Sequence, residues 1–337
     1  MTDFLFVGNF LSKTRGSIGP SEKIATQLQK LGYSIQLTSN VENQFLRLLD
    51  ISFKILGFGG KFIFIDVFSG PAFRIAEVAA RIGCFKKKQI ILILHGGKLP
   101  EFAELNSGRI AKLFNRAFRI QTPSLFLKSY FEKQSFQLNY LPNSIDFTHF
   151  SYSKHQSKPV KLLWVRAFND IYNPELAVKI LAEVKKTLPN ATLTMIGPDK
   201  GLKADTEKLI KNLGLENSID ILGAIPNNHL PAFYHNHSIF LNTTSYESFG
   251  VAVIEAAACG IPVVSASVGE IPYLWKHNEN MMLATDFQPE TFAKHVLNLY
   301  QDDILYDNIS ENAAQLCKKF DNRIIIEEWK TLIGELK

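Results

Sequence analysis

Along the first part of the chain, apolar residues form short continuous runs separated by segments in which they recur every three or four positions. The runs Asp3–Gly8, Ser34–Thr38, Lys61–Val67, Gln89–Leu94, Phe118–Gln121 and Leu138–Pro142 predict strands. The intervening segments predict helices over Ser21–Leu31 (with Ser21 as N-cap), Phe45–Leu56, Pro71–Ile82, Ser107–Arg116 and Pro123–Lys133. Strands that are apolar on both faces and alternate with helices imply a parallel sheet covered on both sides.

His149–Pro159 is polar and aperiodic and reads as a linker. The alternation then restarts. Strands are predicted over Lys161–Val165, Ala191–Ile196, Ser218–Leu222, Ile239–Asn242 and Ile261–Ser265, and helices over Pro174–Thr187, Lys203–Leu213, Leu230–His235 and Val251–Cys259. A last helix, Asn322–Leu336, places Ile325, Ile326, Trp329, Leu332 and Ile333 at helical spacing. The expected class is α/β, with two doubly wound Rossmann-like domains, 1–150 and 151–320.

At 337 residues, 46% apolar and 20% charged, the chain has room for two cores of ordinary size. Charge divides unevenly. Residues 1–150 carry 19 Lys and Arg against 10 Asp and Glu, a net of +9, while the remainder carries 18 against 22, a net of −4, for +5 overall. No run is long and uncharged enough for a membrane span, and the start lacks the basic and apolar regions of a signal peptide. Cys84, Cys259 and Cys317 have no metal or disulfide spacing, and the expected compartment is a reduced cytoplasm.

Chemistry concentrates in YESFGVAVIEAAACGIPVV, residues 246–264. A strand runs into a polar loop and then a helix opened by Gly250, the layout that builds ligand sites at the carboxyl ends of parallel strands. Glu247 falls on the loop and Glu255 in the second helical turn, two acceptors aimed at the hydroxyls of a sugar-like ligand. Glu255, among Val253, Ile254 and Ala256, needs a partner if buried. Arg166 ends the strand Lys161–Val165, and its guanidinium suits bidentate contact with phosphate. Asn173 as N-cap with Pro174 at the first helical position makes a helix start that attracts anions. Lys200 and Lys203 follow the next strand, either as solvated loop charges or as reaching the same crevice. In the first half, His95 follows an apolar strand and Gly16 lies in a Gly-rich turn before a helix.

The Glu-x7-Glu spacing, the Ser-Phe-Gly within it and the Gly-Ile-Pro-Val-Val after it resemble retaining glycosyltransferases of the GT-B fold, family four. The resemblance implies two domains facing a central cleft, with the final segment, 321–337, returning to the first. It implies Arg166 on the donor diphosphate, Glu255 on the ribose, and Glu247 on the transferred sugar. Ser248, Phe249 and Gly250 would face the sugar and diphosphate, and His95 would approach the sugar as a hydrogen-bond donor or as an acid or base. Many relatives carry a diphosphate-binding Lys where this chain has Tyr172, whose phenol would donate one hydrogen bond to the donor but neutralise no charge, and a Gly where it has Glu270. Pro142–Asp146 resembles the family's hinge, with Ser144 in place of Gly.

The implied activity is retaining, metal-independent transfer of a hexose from a nucleotide-diphosphate sugar, a UDP-sugar by family frequency. The acceptor would be a saccharide or a lipid-linked one, in cell-surface polysaccharide or glycolipid assembly, and no cofactor is implied. Other readings on the same fold are a sugar-nucleotide epimerase, a phosphorylase, or a non-catalytic partner subunit. The basic first half fits either peripheral contact with anionic membrane, around Arg47, Lys54, Lys61 and Lys86–Lys88, or an ordinary amphipathic helix with its lysines in water. Nucleic acid is a poor fit, since no interleaved aromatic–basic motif supports it.

Overall fold

The computed structural model describes residues 3–11 and 19–336. It divides into two compact units, one comprising residues up to Ser144 together with those from Arg323 onward, the other Ile145–Asn322.

The first unit is built on six parallel strands: β1 (Phe4–Val7), β2 (Ile35–Thr38), β3 (Phe62–Val67), β4 (Gln89–Leu94), β5 (Arg119–Thr122) and β6 (Asn139–Tyr140), in the order β2-β1-β3-β4-β5-β6. Side-chain alternation explains why these strands are apolar throughout. Leu5, Val7, Ile63, Ile65, Val67 and Leu92 face one way, onto α2 (Gln44–Gly57), α3 (Phe73–Phe85), α4 (Leu99–Leu105), α5 (Ser107–Phe114) and α6 (Leu125–Glu132). Phe4, Phe6, Phe62 and Phe64 face the other way, onto α1 (Pro20–Lys30) and the final helix. There Phe6 and Phe64 stack at 4.5 Å, part of the reason for the chain's 26 phenylalanines.

The second unit repeats the plan with β7 (Lys161–Val165), α7 (Pro174–Lys185), β8 (Thr192–Ile196), α8 (Lys203–Asn212), β9 (Ile219–Ile221), α9 (Leu230–Asn236), β10 (Ile239–Asn242), α10 (Val251–Ala258) and β11 (Val263–Ala266). It continues through α11 (Ile271–Leu274), β12 (Met282–Ala284), α12 (Pro289–Gln301) and α13 (Asp303–Cys317), none of which the pattern reading assigns. The strand order is β12-β11-β10-β7-β8-β9, all parallel, so sequence order reverses between β7 and β10.

The polar stretch expected as a linker belongs to the second unit. Its His155 is buried against the carbonyls of His237 (3.1 Å) and Cys259 (3.0 Å), and Ser157 donates to Asp303 at 2.6 Å. The boundary falls at Ser144/Ile145, inside the Pro142–Asp146 segment. There Ile145 pairs with the returning chain, its N–H bonding Phe320 O at 2.8 Å and its carbonyl accepting from Asn322 N–H at 3.0 Å. The last helix, α14 (Asn322–Leu336), places Ile325, Trp329, Leu332 and Ile333 on the phenylalanine face of the first sheet.

Candidate functional site

In an open parallel sheet, the place where strand order reverses leaves a crevice at the carboxyl ends of the strands. On the second unit that place lies between β7 and β10. Arg166 follows β7 and Asn242 ends β10, with Glu247 a few residues further on. Arg166 Nη2 donates to Glu247 Oε2 at 2.7 Å and to Asn242 Oδ1 at 3.1 Å. The Arg166 and Glu247 side chains are only 9% and 10% exposed, so the pair is a largely desolvated one whose geometry matters. Buried Arg166 Nε finds no acceptor among the described residues.

Tyr172, which stands where relatives carry Lys, lies under the guanidinium with its ring centroid 5.5 Å from Cζ. Its aromatic face therefore holds Arg166 where an ammonium would repel it. Thr243 fixes this loop, accepting from Trp164 Nε1 at 2.9 Å and reaching the carbonyls of Tyr172 and Asn173 at 2.8 and 3.0 Å. Gly197, after β8, packs so tightly that a Cβ would meet Arg166 O at 1.7 Å.

The Glu247 loop is braced from behind. Glu270 N–H bonds Glu247 O at 2.9 Å, and Gly269, at φ 54°, leaves no space for a Cβ, which would lie 2.0 Å from that oxygen. Gly250 takes a left-handed conformation (φ 85°) at the start of α10, which explains glycine there by backbone shape as well as by room. Phe249 is buried edge-on to Phe320, and Ser248 is half-buried. Glu255, 5% exposed, accepts from Asn227 Nδ2 at 3.0 Å and from Tyr234 OH at 3.2 Å, the partners its burial demands. Burial, and then Glu255 beside it, pushes the Tyr234 phenol well above its ordinary value, so it remains an O–H donor to a carboxylate.

Asn173 takes the N-cap position before Pro174 at the start of α7, as expected, but it is left-handed (φ 47°) and its side chain makes no cap hydrogen bond. Lys203 pairs with Glu207 at 3.6 Å along its own helix, while Lys200 is exposed on a loop tied by its N–H to Phe168 O at 3.1 Å. Gly16 lies outside the described residues. Asn242, Asn227 and Tyr234 are new members of the site. Asn242 was visible as a polar residue closing an apolar strand, whereas Asn227 and Tyr234 come from elements whose approach to Glu255 no local pattern shows.

The first unit carries a second cluster at its own order reversal, between β1 and β3. Asp66, near the end of β3, accepts from Ser21 Oγ at 2.5 Å and lies 3.0 Å from His95 Nε2, with Ser21 Oγ and His95 Nε2 3.3 Å apart. Ser21 is thus not the N-cap of α1; that position is Gly19, and Ser21 is turned inward by its bond to Asp66. A Cβ on Gly8 would lie 2.4 Å from Asp66 Oδ2, and Phe68 stacks on the imidazole at 5.2 Å. Because a carboxylate only accepts, the contact with Asp66 puts a proton on His95 Nε2.

Among the described residues, no group of three or more His, Cys, Asp and Glu is placed to hold a metal ion. Two Rossmann-like units of this kind define the GT-B fold. Sucrose-phosphate synthase from Thermosynechococcus elongatus matches it with a TM-score of 0.82 at 15% identity, covering 100% of this chain and 99% of that one. Anabaena HepE, solved with UDP and glucose, matches with a TM-score of 0.79 at 17% identity, covering 99% and 100%. The chain belongs to the group 1 glycosyl transferases, whose family model matches residues 146–316, half of its length. It is 26% identical over 212 residues to the Campylobacter jejuni GalNAc-alpha-(1->4)-GalNAc-alpha-(1->3)-diNAcBac-PP-undecaprenol alpha-1,4-N-acetyl-D-galactosaminyltransferase, covering 62% of this chain and 58% of that protein. It spans 31–44% of the length of other curated relatives.

Proposed function

We propose that the chain transfers a hexose from a UDP-sugar to a saccharide or lipid-linked saccharide, with retention at the anomeric carbon and without a bound metal, in cell-surface polysaccharide or glycolipid assembly. The observation that carries this reading is the joining of Arg166, Glu247 and Asn242 at the order reversal of the second sheet, beside a Glu255 already held by Asn227 and Tyr234. HepE, of the same fold, has been solved with UDP and with UDP-glucose, which favours uracil as the base. The Campylobacter relative names a lipid-linked acceptor.

In this reading Arg166 meets the diphosphate through Nη1, since Nη2 is given to Glu247 and Asn242, and the N–H groups opening α10 supply further positive potential. Glu255 accepts from the ribose hydroxyls, and Glu247, pinned by Arg166, from those of the sugar. The anomeric carbon–phosphate oxygen bond breaks as the acceptor oxygen bonds to the same face, and the departing phosphate takes the acceptor's proton. Positioning and charge stabilisation then supply most of the rate. His95 makes a hydroxyl hydrogen bond on the first unit.

A thermal-shift screen against UDP, GDP, ADP and their sugars tests the donor. Ligand at a hundred times its dissociation constant stabilises by about 2.7 kcal/mol, and the Glu255→Ala variant should lose that shift. No shift with any nucleotide would move the assignment to a non-catalytic partner. Turnover of donor without acceptor would move it to an epimerase or phosphorylase. NMR of the product's anomeric signal tests retention.

A further inference from the structure

Helix α2 is apolar on two faces. Ile51 and Ile55 are buried against the sheet, and on the other side Phe45 (69% exposed), Leu46 (54%), Leu49 (41%), Phe53 (71%) and Leu56 (45%) stand in water. At 3.6 residues per turn these five share one arc of about 100°, and no charged residue falls within it. The charges that flank it, Asp50 and Lys54, neutralise each other at 3.0 Å, and Asp50 also accepts from Thr38. An ordinary surface helix carries charge on this side, and a contiguous exposed apolar patch marks an interaction surface.

Cations gather at one end of the stripe. Lys88 Nζ donates to Gly60 O at 2.7 Å and lies 5.5 Å from the Phe58 ring centroid, and Gln89 N–H bonds Lys61 O at 2.9 Å. The loops following α2 and α3 therefore run side by side and bring Lys61, Lys86, Lys87 and Lys88 to the carboxyl end of α2, beside Phe85, which is 81% exposed. No acid occurs between Asp50 and Asp66 or between Glu77 and Glu101, and the exposed Glu42 lies beyond the opposite end of the helix. Arg47 is not part of this basic surface. It is buried and committed to Val41 O, Glu42 O and Asn9 Oδ1 at 2.7–2.9 Å.

We propose that this face docks on an anionic lipid bilayer, the phenylalanines and leucines entering the headgroup boundary and the lysines meeting lipid phosphates. Charge complementarity selects this occupant: a second copy would present the same lysines to themselves. Because α2 starts after the carboxyl end of β2, the stripe begins at the sheet edge that carries Asp66 and His95 and runs towards the basic loops. Delivery of a lipid-linked acceptor to that edge rests on the proposed function; the docking itself does not.

The test is co-sedimentation of the 337-residue chain with vesicles of phosphatidylcholine, with and without phosphatidylglycerol, alongside size-exclusion chromatography with light scattering. Binding should require phosphatidylglycerol and weaken with salt. It should fall about tenfold or more in Lys86→Gln/Lys87→Gln and in Phe45→Ser/Phe53→Ser, with unchanged melting temperatures because these side chains are exposed. Glu255→Ala should bind vesicles normally, which separates this proposal from the donor site. Equal binding to both vesicles, or retention unaffected by these variants, would overturn it. So would a dimer that Phe53→Ser makes monomeric, with no vesicle binding.

Discussion

Asp66 decides what His95 can do. A carboxylate that accepts from Nε2 fixes which ring nitrogen carries the proton, and an amide holds that choice less firmly. Asp66→Asn should lower kcat by about tenfold, the scale of one weakened hydrogen bond, while leaving the donor KM near its original value, measured by steady-state kinetics. A KM change with kcat intact would make Asp66 merely structural. Gly269→Ala should act in the opposite way: a Cβ 2.0 Å from Glu247 O displaces the loop, weakening donor binding in the thermal-shift assay and costing about 1–3 kcal/mol of stability. At this scale the sequence reading singled out Glu247 and Glu255 by their eight-residue spacing and Arg166 by its place after a strand. Asp66 was legible in principle as the one acid in the apolar strand Phe62–Val67, but its partners, Ser21 and His95, are distant in the chain. Tyr172 was read as a donor-binding phenol that gives one hydrogen bond but no charge; its packing under Arg166 depends on a fold the pattern does not show.

Elements obey two kinds of rule, and only one is local. Continuous apolar runs identified nearly every strand, since a strand buried on both faces has no polar position to spare. Caps were less legible: Ser21 and Asn173 are residues that favour caps, yet the first is recruited by Asp66 and the second, though at the N-cap position, makes no side-chain cap hydrogen bond. The helices α12 and α13 carry apolar residues at helical spacing, Phe292, Val296 and Leu299, then Tyr306, Ile309 and Ala313. Their roles emerge only from the core they cover. The return of α14 to the first sheet makes a quantitative claim. Trp329 lies 5.7 Å from the Phe64 ring centroid and 6.1 Å from that of Phe6. Trp329→Ala should cost about 3–5 kcal/mol, read as a lower midpoint in denaturant unfolding.

For the molecule as a whole, acid is the expected weakness. Burial pushes the ionisation of His155, His237 and His295 below the ordinary value of 6.5, and all three lie in the second unit. The folded state thus binds fewer protons than the unfolded chain just below that value. Stability is fully present above it and declines as pH falls from about 7 to about 5. Melting temperatures across that range should drop, and a flat profile would show that these histidines do not couple folding to protons. No helix among the described residues is long and apolar enough to cross a membrane.

Because the first unit borrows its last helix from beyond residue 322, the order of synthesis and the order of completion differ. A ribosome releases the strands bearing Phe4, Phe6, Phe62 and Phe64 long before it makes Trp329 and Ile333. The contiguous second unit can close first. Until that last helix has been made, the nascent chain holds an aromatic face that α1 covers only in part, the kind of surface that holdase chaperones bind.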